Sequence, residues 1–223
     1  SRAQIWRSDT LEVVQESGEV AEEGYAGGWA WGPTGHVIAT GHSDGRGRIW
    51  DARTGELVAV LEGVYEPAHS DGVFGGVREI LFSPRGWRGN NRVQLPEVVT
   101  RGGEGRVVIW DVYRAEGGGA CWPTALVEPN DEDFLPMAFS PDGRYFAVAK
   151  PRGPIRLWDV AGKCFGASLL AHEGPVTHLA FDPEGSHLVT ASIDGTVRVW
   201  DISKIVTLRG IPCTGQPAYS PDG

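Results

Sequence analysis

The sequence predicts an all-β fold built from one repeated sheet, on three observations. Short apolar runs rich in Val, Ile, Leu and Trp recur along the 223 residues, at the length of strands rather than helices. The 32 Gly and 15 Pro punctuate those runs, a turn-rich composition that argues against long helices. Five of the runs end alike, at Ile5-Trp6-Arg7, Ile49-Trp50-Asp51, Ile109-Trp110-Asp111, Leu157-Trp158-Asp159 and Val199-Trp200-Asp201, with Trp spacings of 44, 60, 48 and 42. Self-similarity at such a period means one supersecondary unit stacked on copies of itself.

A second element opens the units, at Trp31-Gly32-Pro33, Phe82-Ser83-Pro84, Phe139-Ser140-Pro141 and Phe181-Asp182-Pro183, with Tyr219-Ser220-Pro221 as a further copy. The most complete unit divides into strand a over Val176–Phe181, strand b over His187–Ser192, strand c over Val197–Asp201 and strand d over 205–208. Gly-containing turns at 183–185 and 194–195 separate the first three. The Trp-Asp pairs at 50/51, 110/111, 158/159 and 200/201, the Ser-Pro-Asp-Gly turn at 140–143 and Ile193-Asp194-Gly195 resemble the WD40-repeat β-propeller family over nearly the whole chain. The resemblance implies four-stranded antiparallel blades, with strand a toward a central channel and strand d at the rim.

On that reading residues 1–223 form one partial propeller. Complete blades fall at about 25–63, 76–128, 134–171 and 175–209, and partial blades at 1–15 and 216–223. The first partial blade supplies strands c and d, at 3–7 and 11–14, and the last supplies strand a and its turn. Since the family usually has seven blades, the chain is expected to be an arc of a larger assembly or chain. Insertions at 85–96 and 113–123 lengthen the second complete blade and read as tolerated loop length.

Composition bounds the function. The formal net charge is -9, from 20 basic and 29 acidic residues, which opposes binding to a phosphate backbone. Cys121, Cys164 and Cys213 form no CxxC pair, so thiols are expected rather than a disulfide framework or zinc site. No apolar run approaches the roughly 18 residues of a membrane span, and no leader pattern opens the chain. The expected location is intracellular, in the cytoplasm first, with nucleus and cytoskeleton as alternatives. Gly45-Arg46-Gly47 and Gly103-Glu104-Gly105 imitate phosphate loops, but each sits in a hairpin turn with no helix behind it. No cofactor or metal site is expected.

His172, Ser192 (or Thr190) and Asp194 carry the side-chain types of a hydrolase triad. The resemblance implies a different role, a structural network joining hydroxyl, imidazole and turn Asp to the indole of Trp200. A buried indole N–H needs such a partner. The network is expected to be incomplete elsewhere. The blade of Trp50 has Thr40 and Asp44 but no entry-loop His. That of Trp110 has His69, Thr100 and Glu104, and in the third blade Trp158 stands alone, with Gly153 in place of the Asp.

The resemblance also implies partner contacts on the top face, at the start of strand a (Tyr25, Arg78, Leu135, Thr177) and before the b–c turn Asp (Ser43, Arg152, Ile193). The d–a loops of that face are acidic, with Glu128, Asp131, Glu132 and Asp133 the densest run. The expected function is a non-catalytic protein-interaction scaffold that receives a basic peptide segment within a larger assembly. The alternative is a regulatory or sensor module of a larger enzyme or signalling protein. Neither nucleic acid nor membrane is an expected partner.

Overall fold

The computed structural model describes residues 4–6, 12–16, 26–62, 65, 75–84, 93–94, 96–114, 120–127, 136–150, 154–170 and 172–206. The chain divides into two compact units, Ser1–Asp131 and Glu132–Gly223.

The first unit opens with β1 (Gln4–Trp6) paired antiparallel to β2 (Val13–Glu16). The second strand thus starts two residues later than the expected 11–14. Blade one follows as β3 (Ala26–Trp31), β4 (Val37–His42), β5 (Gly47–Asp51) and β6 (Leu57–Leu61), paired in that order. Blade two orders β7 (Val77–Phe82), β9 (Val98–Gly102), β10 (Val107–Arg114) and β11 (Ala120–Val127) in the same way. The insertion at 85–96 is more than slack: β8 (Val93–Gln94) pairs with Tyr113 and Arg114 at the far end of β10. Both insertions therefore extend one blade. Ala39, Ile49, Ala59 and Leu61 of blade one share a core with Val77, Ile80, Val98 and Trp110 of blade two.

The second unit holds blade three, with β12 (Met137–Phe139), β13 (Tyr145–Ala149), β14 (Ile155–Asp159) and β15 (Cys164–Leu169), and blade four, with β16 (Val176–Phe181), β17 (His187–Ser192) and β18 (Val197–Asp201). Strands a, b and c of blade four begin and end where the sequence places them. Strand d does not: at 205–206, inside the span expected to be strand, the chain is in α1 (Ile202–Val206).

The reason lies in the turn after the Trp-Asp pair. Asp51 Oδ1 accepts from the N–H groups of Arg53 and Thr54, Asp159 Oδ1 from Ala161 and Gly162, and Asp201 Oδ1 from Ser203 and Lys204. To reverse into strand d the chain then needs a left-handed residue. Blade one supplies Gly55 (φ 71°) and blade three Lys163 (φ 51°). Blade four has Ile205 at that place, and a β-branched residue pays most to enter the left-handed region. The backbone stays right-handed and forms α1, whose Ile202 and Ile205 pack on the second unit's core.

Cys121 is a free thiol whose burial pushes its pKa up to about 11. Cys164, at the start of β15, is disulfide-bonded. That corrects the expectation of thiols throughout, since an odd cysteine count still leaves room for one pair. Among the described residues no helix is long and apolar enough to cross a membrane.

Candidate functional site

In blades one, two and four the Trp that closes strand c is held from strand b. Trp50 Nε1 donates to Thr40 Oγ1 at 2.8 Å, Trp110 to Thr100 at 2.7 Å and Trp200 to Thr190 at 3.2 Å, each across ten residues. What lies beyond the hydroxyl differs in every blade.

In blade four Thr190 Oγ1 meets His172 Nε2 at 2.9 Å, and His172 Nδ1 lies 3.1 Å from Asp194 Oδ2. With the proton on Nδ1, every group from indole to carboxylate donates to the next. Asp194 also accepts from the N–H groups of Thr196 and Glu173, and the hydroxyl of Thr196 with these contacts holds its carboxyl well below the usual carboxylate range. Of the two hydroxyls left open by the sequence, Thr190 carries the relay. Ser192 instead donates to the Gly174 carbonyl at 3.0 Å and accepts from Asp194 N–H at 3.1 Å, pinning the entry loop to the b–c turn.

In blade two His69 lies outside the described residues, and Tyr65 fills the third place. Thr100 passes its proton to the Tyr65 oxygen at 2.7 Å, and Tyr65 passes its own to the Thr100 carbonyl at 2.8 Å. The chain of donors closes on itself with nothing buried left over, and burial pushes the phenol pKa up. Glu104, in the Asp position, pairs with Arg106 at 3.3 Å.

Blade one draws its imidazole from strand b, not from the entry loop. His42 Nε2 lies 2.7 Å from Thr40 Oγ1. Asp44 is occupied by Arg48, which forks onto both carboxylate oxygens at 3.2 and 2.5 Å. Burial, with Arg48 nearby, lowers the His42 pKa from 6.5 to about 4. The sequence showed this residue, but a His two places after the Thr sits on the same face of a strand, a route the loop-based pattern did not consider.

That shift predicts a pH dependence. Between 6.5 and about 4 the unfolded chain takes up a proton that native His42 refuses, so stability is full above pH 6.5 and falls as the pH drops toward 4. Urea melts across this range should show a loss matching one proton, and His42→Gln should lack that component. An unchanged slope in the variant would refute the assignment.

Blade three has Val148 ten residues before its Trp, so no hydroxyl is available. Trp158 Nε1 is buried without a hydrogen-bond partner among the described residues. The indole packs edge-on against Phe165, with ring centroids 5.0 Å apart, and Arg156 stacks over that same ring at 3.9 Å.

One more Ser-His-Asp set lies at the a–b turn of blade four. Ser186 Oγ donates to Asp182 Oδ2 at 2.8 Å, but His187 Nδ1 serves both Asp182 (3.0 Å) and Ser186 (2.9 Å). A triad needs one ring nitrogen for each partner, so this is a turn clasp. Among the described residues no set of His, Cys, Asp and Glu comes together to hold a metal ion.

Residues 25–51 and 163–201 match the WD40 family (WD domain, G-beta repeat). Those two stretches carry WD40 repeats. Over 128 residues, 57% of its length, it is 30% identical to Periodic tryptophan protein 2 of Arabidopsis thaliana, the match covering 12% of that protein. The β-propeller domain of Myceliophteria thermophila Cps50 (Swd1) is similar in fold, with a TM-score of 0.60 at 13% identity, over 90% of this chain and 59% of that one. The computationally designed Ika8 protein gives 0.59 at 22% identity, over 89% of this chain and 52% of that one. The designed Ika4 protein gives 0.53 at 23%, over 81% and 93%. The fold is that of a WD40 β-propeller segment, and the indole-centred chains above are its blade locks.

Among the top-face candidates, Tyr25, Leu135, Arg152, Glu128, Asp131, Glu132 and Asp133 lie outside the described residues. Of the other four, Arg78 and Thr177 share a local feature. The a–b ladders slip by one residue between Val77 and Glu79 and between Val176 and His178, which puts Arg78 and Thr177 on bulges. Bulges re-aim side chains at the ends of strands. In blade one the slip spans Gly27, two residues after Tyr25. In the first unit Arg78 crosses Gly103, where a Cβ would lie 2.8 Å from its Nε, and a Cβ on Gly76 would reach within 2.8 Å of Ser43 Cα. In the second, Ile193 is 68% exposed at the b–c turn, its N–H donating to the Pro175 carbonyl at 3.1 Å.

Proposed function

We propose that this WD40 segment is a non-catalytic protein-interaction module whose top face receives a Lys- or Arg-rich peptide with an aliphatic anchor. The observation carrying this reading is Ile193. A large aliphatic side chain is held out to solvent on a turn fixed from both sides, by the Ser192 bonds to Gly174 and Asp194 and by its own N–H. Preorganised apolar anchors ringed by polar groups are the usual hot spots of interfaces. The acidic d–a loops supply the charge that would steer a basic segment.

Non-catalysis is supported by the fate of the triad-like residues. Thr190 is fully buried and its oxygen takes the indole proton, so its hydroxyl is committed inside the blade. A second reading, a regulatory or sensor module of a larger protein, draws on the 12% of a much longer relative that the match covers. We propose an intracellular location, the cytoplasm first, with nucleus and cytoskeleton as alternatives.

The test begins with a pull-down and mass spectrometry, followed by kinetics on the captured segment. Association should slow steeply as salt rises, since exposed charges are screened within roughly 10 Å at 0.1 M. Reversing Glu128, Asp131, Glu132 and Asp133 to Lys should slow association, and Ile193→Asp should speed dissociation by about tenfold or more. Salt-insensitive binding on another face, or ester hydrolysis lost in Thr190→Val, would overturn the reading.

A further inference from the structure

Blades one and three carry an arginine at the same place. Arg48 and Arg156 each stand two residues before the Trp of strand c, and each lies opposite the strand-b residue ten places before that Trp, Thr40 or Val148. In blade one the charge is met inside the blade. Arg48 forks onto Asp44 of the b–c turn, and the two side chains are only 12% and 22% exposed. In blade three the turn between β13 and β14 reads Lys-Pro-Arg-Gly-Pro over 150–154 and contains no acid.

Arg156 is nonetheless held in place. Its guanidinium carbon lies 3.9 Å from the centroid of the Phe165 ring, and among the described residues no carboxylate or other acceptor meets it. Burial lowers its pKa, as it does for a cation that has lost water and gained no counter-ion. The surrounding groups are rich in donors and short of acceptors. Ser168, whose hydroxyl can donate, stands directly opposite Arg156 on β15. Trp158, two residues along β14 on the same face, buries its Nε1 without an acceptor among the described residues.

We infer that Arg156 is a docking point for a carboxylate of a protein partner, which supplies from outside the acid that Asp44 supplies within blade one. A guanidinium offers paired N–H groups that match the two oxygens of a carboxylate, and stacking on a ring fixes their plane before the ligand arrives. One guanidinium balances the single charge of a carboxylate, whereas a phosphate carrying nearly two would be left half neutralised. This contact is separate from Ile193 and takes the opposite charge to the basic segment proposed above, so either can fail without the other.

Short peptides alike except at their centre, which carries Glu, Gln, phosphoserine or Lys, test this on the 223-residue chain. The Nε–H resonance of Arg156, assigned by its loss in Arg156→Gln, should move on addition of the Glu peptide and hold still with the Gln and Lys peptides. By fluorescence anisotropy the Glu peptide should bind more tightly than the Gln peptide. Arg156→Gln should weaken it by about tenfold or more, the scale of a hydrogen bond to a charged group. Arg156→Lys keeps the charge but loses the fork and the stack, and should weaken it as well. Arg198→Gln is the control, since it removes an equal charge from the corresponding place in blade four, where the side chain is exposed. Circular dichroism melts verify that each variant folds. Equal losses in Arg198→Gln and Arg156→Gln would show that binding follows net charge and overturn the inference. A resonance that ignores the Glu peptide would overturn it too, and tighter binding of the phosphoserine peptide would replace the carboxylate with a phosphate.

Discussion

Trp110→Ala is expected to cost about 3–5 kcal/mol, the range for emptying a large aromatic site in a packed core. Trp110 is among the largest fully buried side chains of the first unit, and it packs with Val98, Val108, Ile80 and blade one's Ile49. Its removal opens a cavity at the joint between two blades and leaves Thr100 without the indole donor. The amides of β9 and β10 should lose hydrogen-exchange protection by that amount, since exchange reports local unfolding.

Replacement by Phe separates the polar part from the packing part. Trp110→Phe removes a satisfied N–H, whereas Trp158→Phe removes a buried one with no acceptor among the described residues. An unsatisfied buried donor carries a penalty of about 1–3 kcal/mol, so Trp158→Phe should cost less than Trp110→Phe by about that margin. Equal losses in the two blades would mean that the hydroxyl relay adds nothing to stability.

How much of this was legible in the sequence follows from what each feature depends on. Strands a, b and c of blade four were readable to the residue because Pro, Asp and Gly mark their ends locally. The isolation of Trp158 was also readable, since it depends on Val148 at a fixed spacing within a hairpin. His42 and Tyr65 were not, because the third member of a relay is chosen by space around the hydroxyl rather than by position in the repeat. The helical turn at Ile202–Val206 was missed because strand d was inferred from apolar content, while the β-branched Ile205, four residues after Asp201, decided the backbone. The top-face positions were mapped by the resemblance, and the bulges that re-aim Arg78 and Thr177 leave no sequence mark that spacing alone detects.

Gly41→Val is the substitution expected to rival the loss of Trp110. A Cβ at Gly41 would stand 2.6 Å from the Val77 carbonyl oxygen and 2.7 Å from Val77 Cγ1, and the first of these is backbone that cannot rotate away. Gly28 faces Arg78 in the same way, with a Cβ 2.6 Å from that carbonyl. The small residues of β3 and β4 therefore set how closely β7 approaches, and a branched side chain at Gly41 must push the two blades apart. Overpacking of this kind costs about 1–3 kcal/mol where side chains can yield, and more where only backbone can. A loss of at least about 3 kcal/mol is expected, read as shared loss of exchange protection in β4 and β7. The control is Ala191→Val, at the equivalent place in blade four, where Ala191 stands opposite the exposed Val197. With its neighbour Val197 67% exposed, it should stay within about 0.5 kcal/mol of wild type, as surface changes usually do. If Ala191→Val proved as costly as Gly41→Val, close approach between blades would not be what the glycine serves. A mild Gly41→Val would show that β7 can move without unlocking the joint.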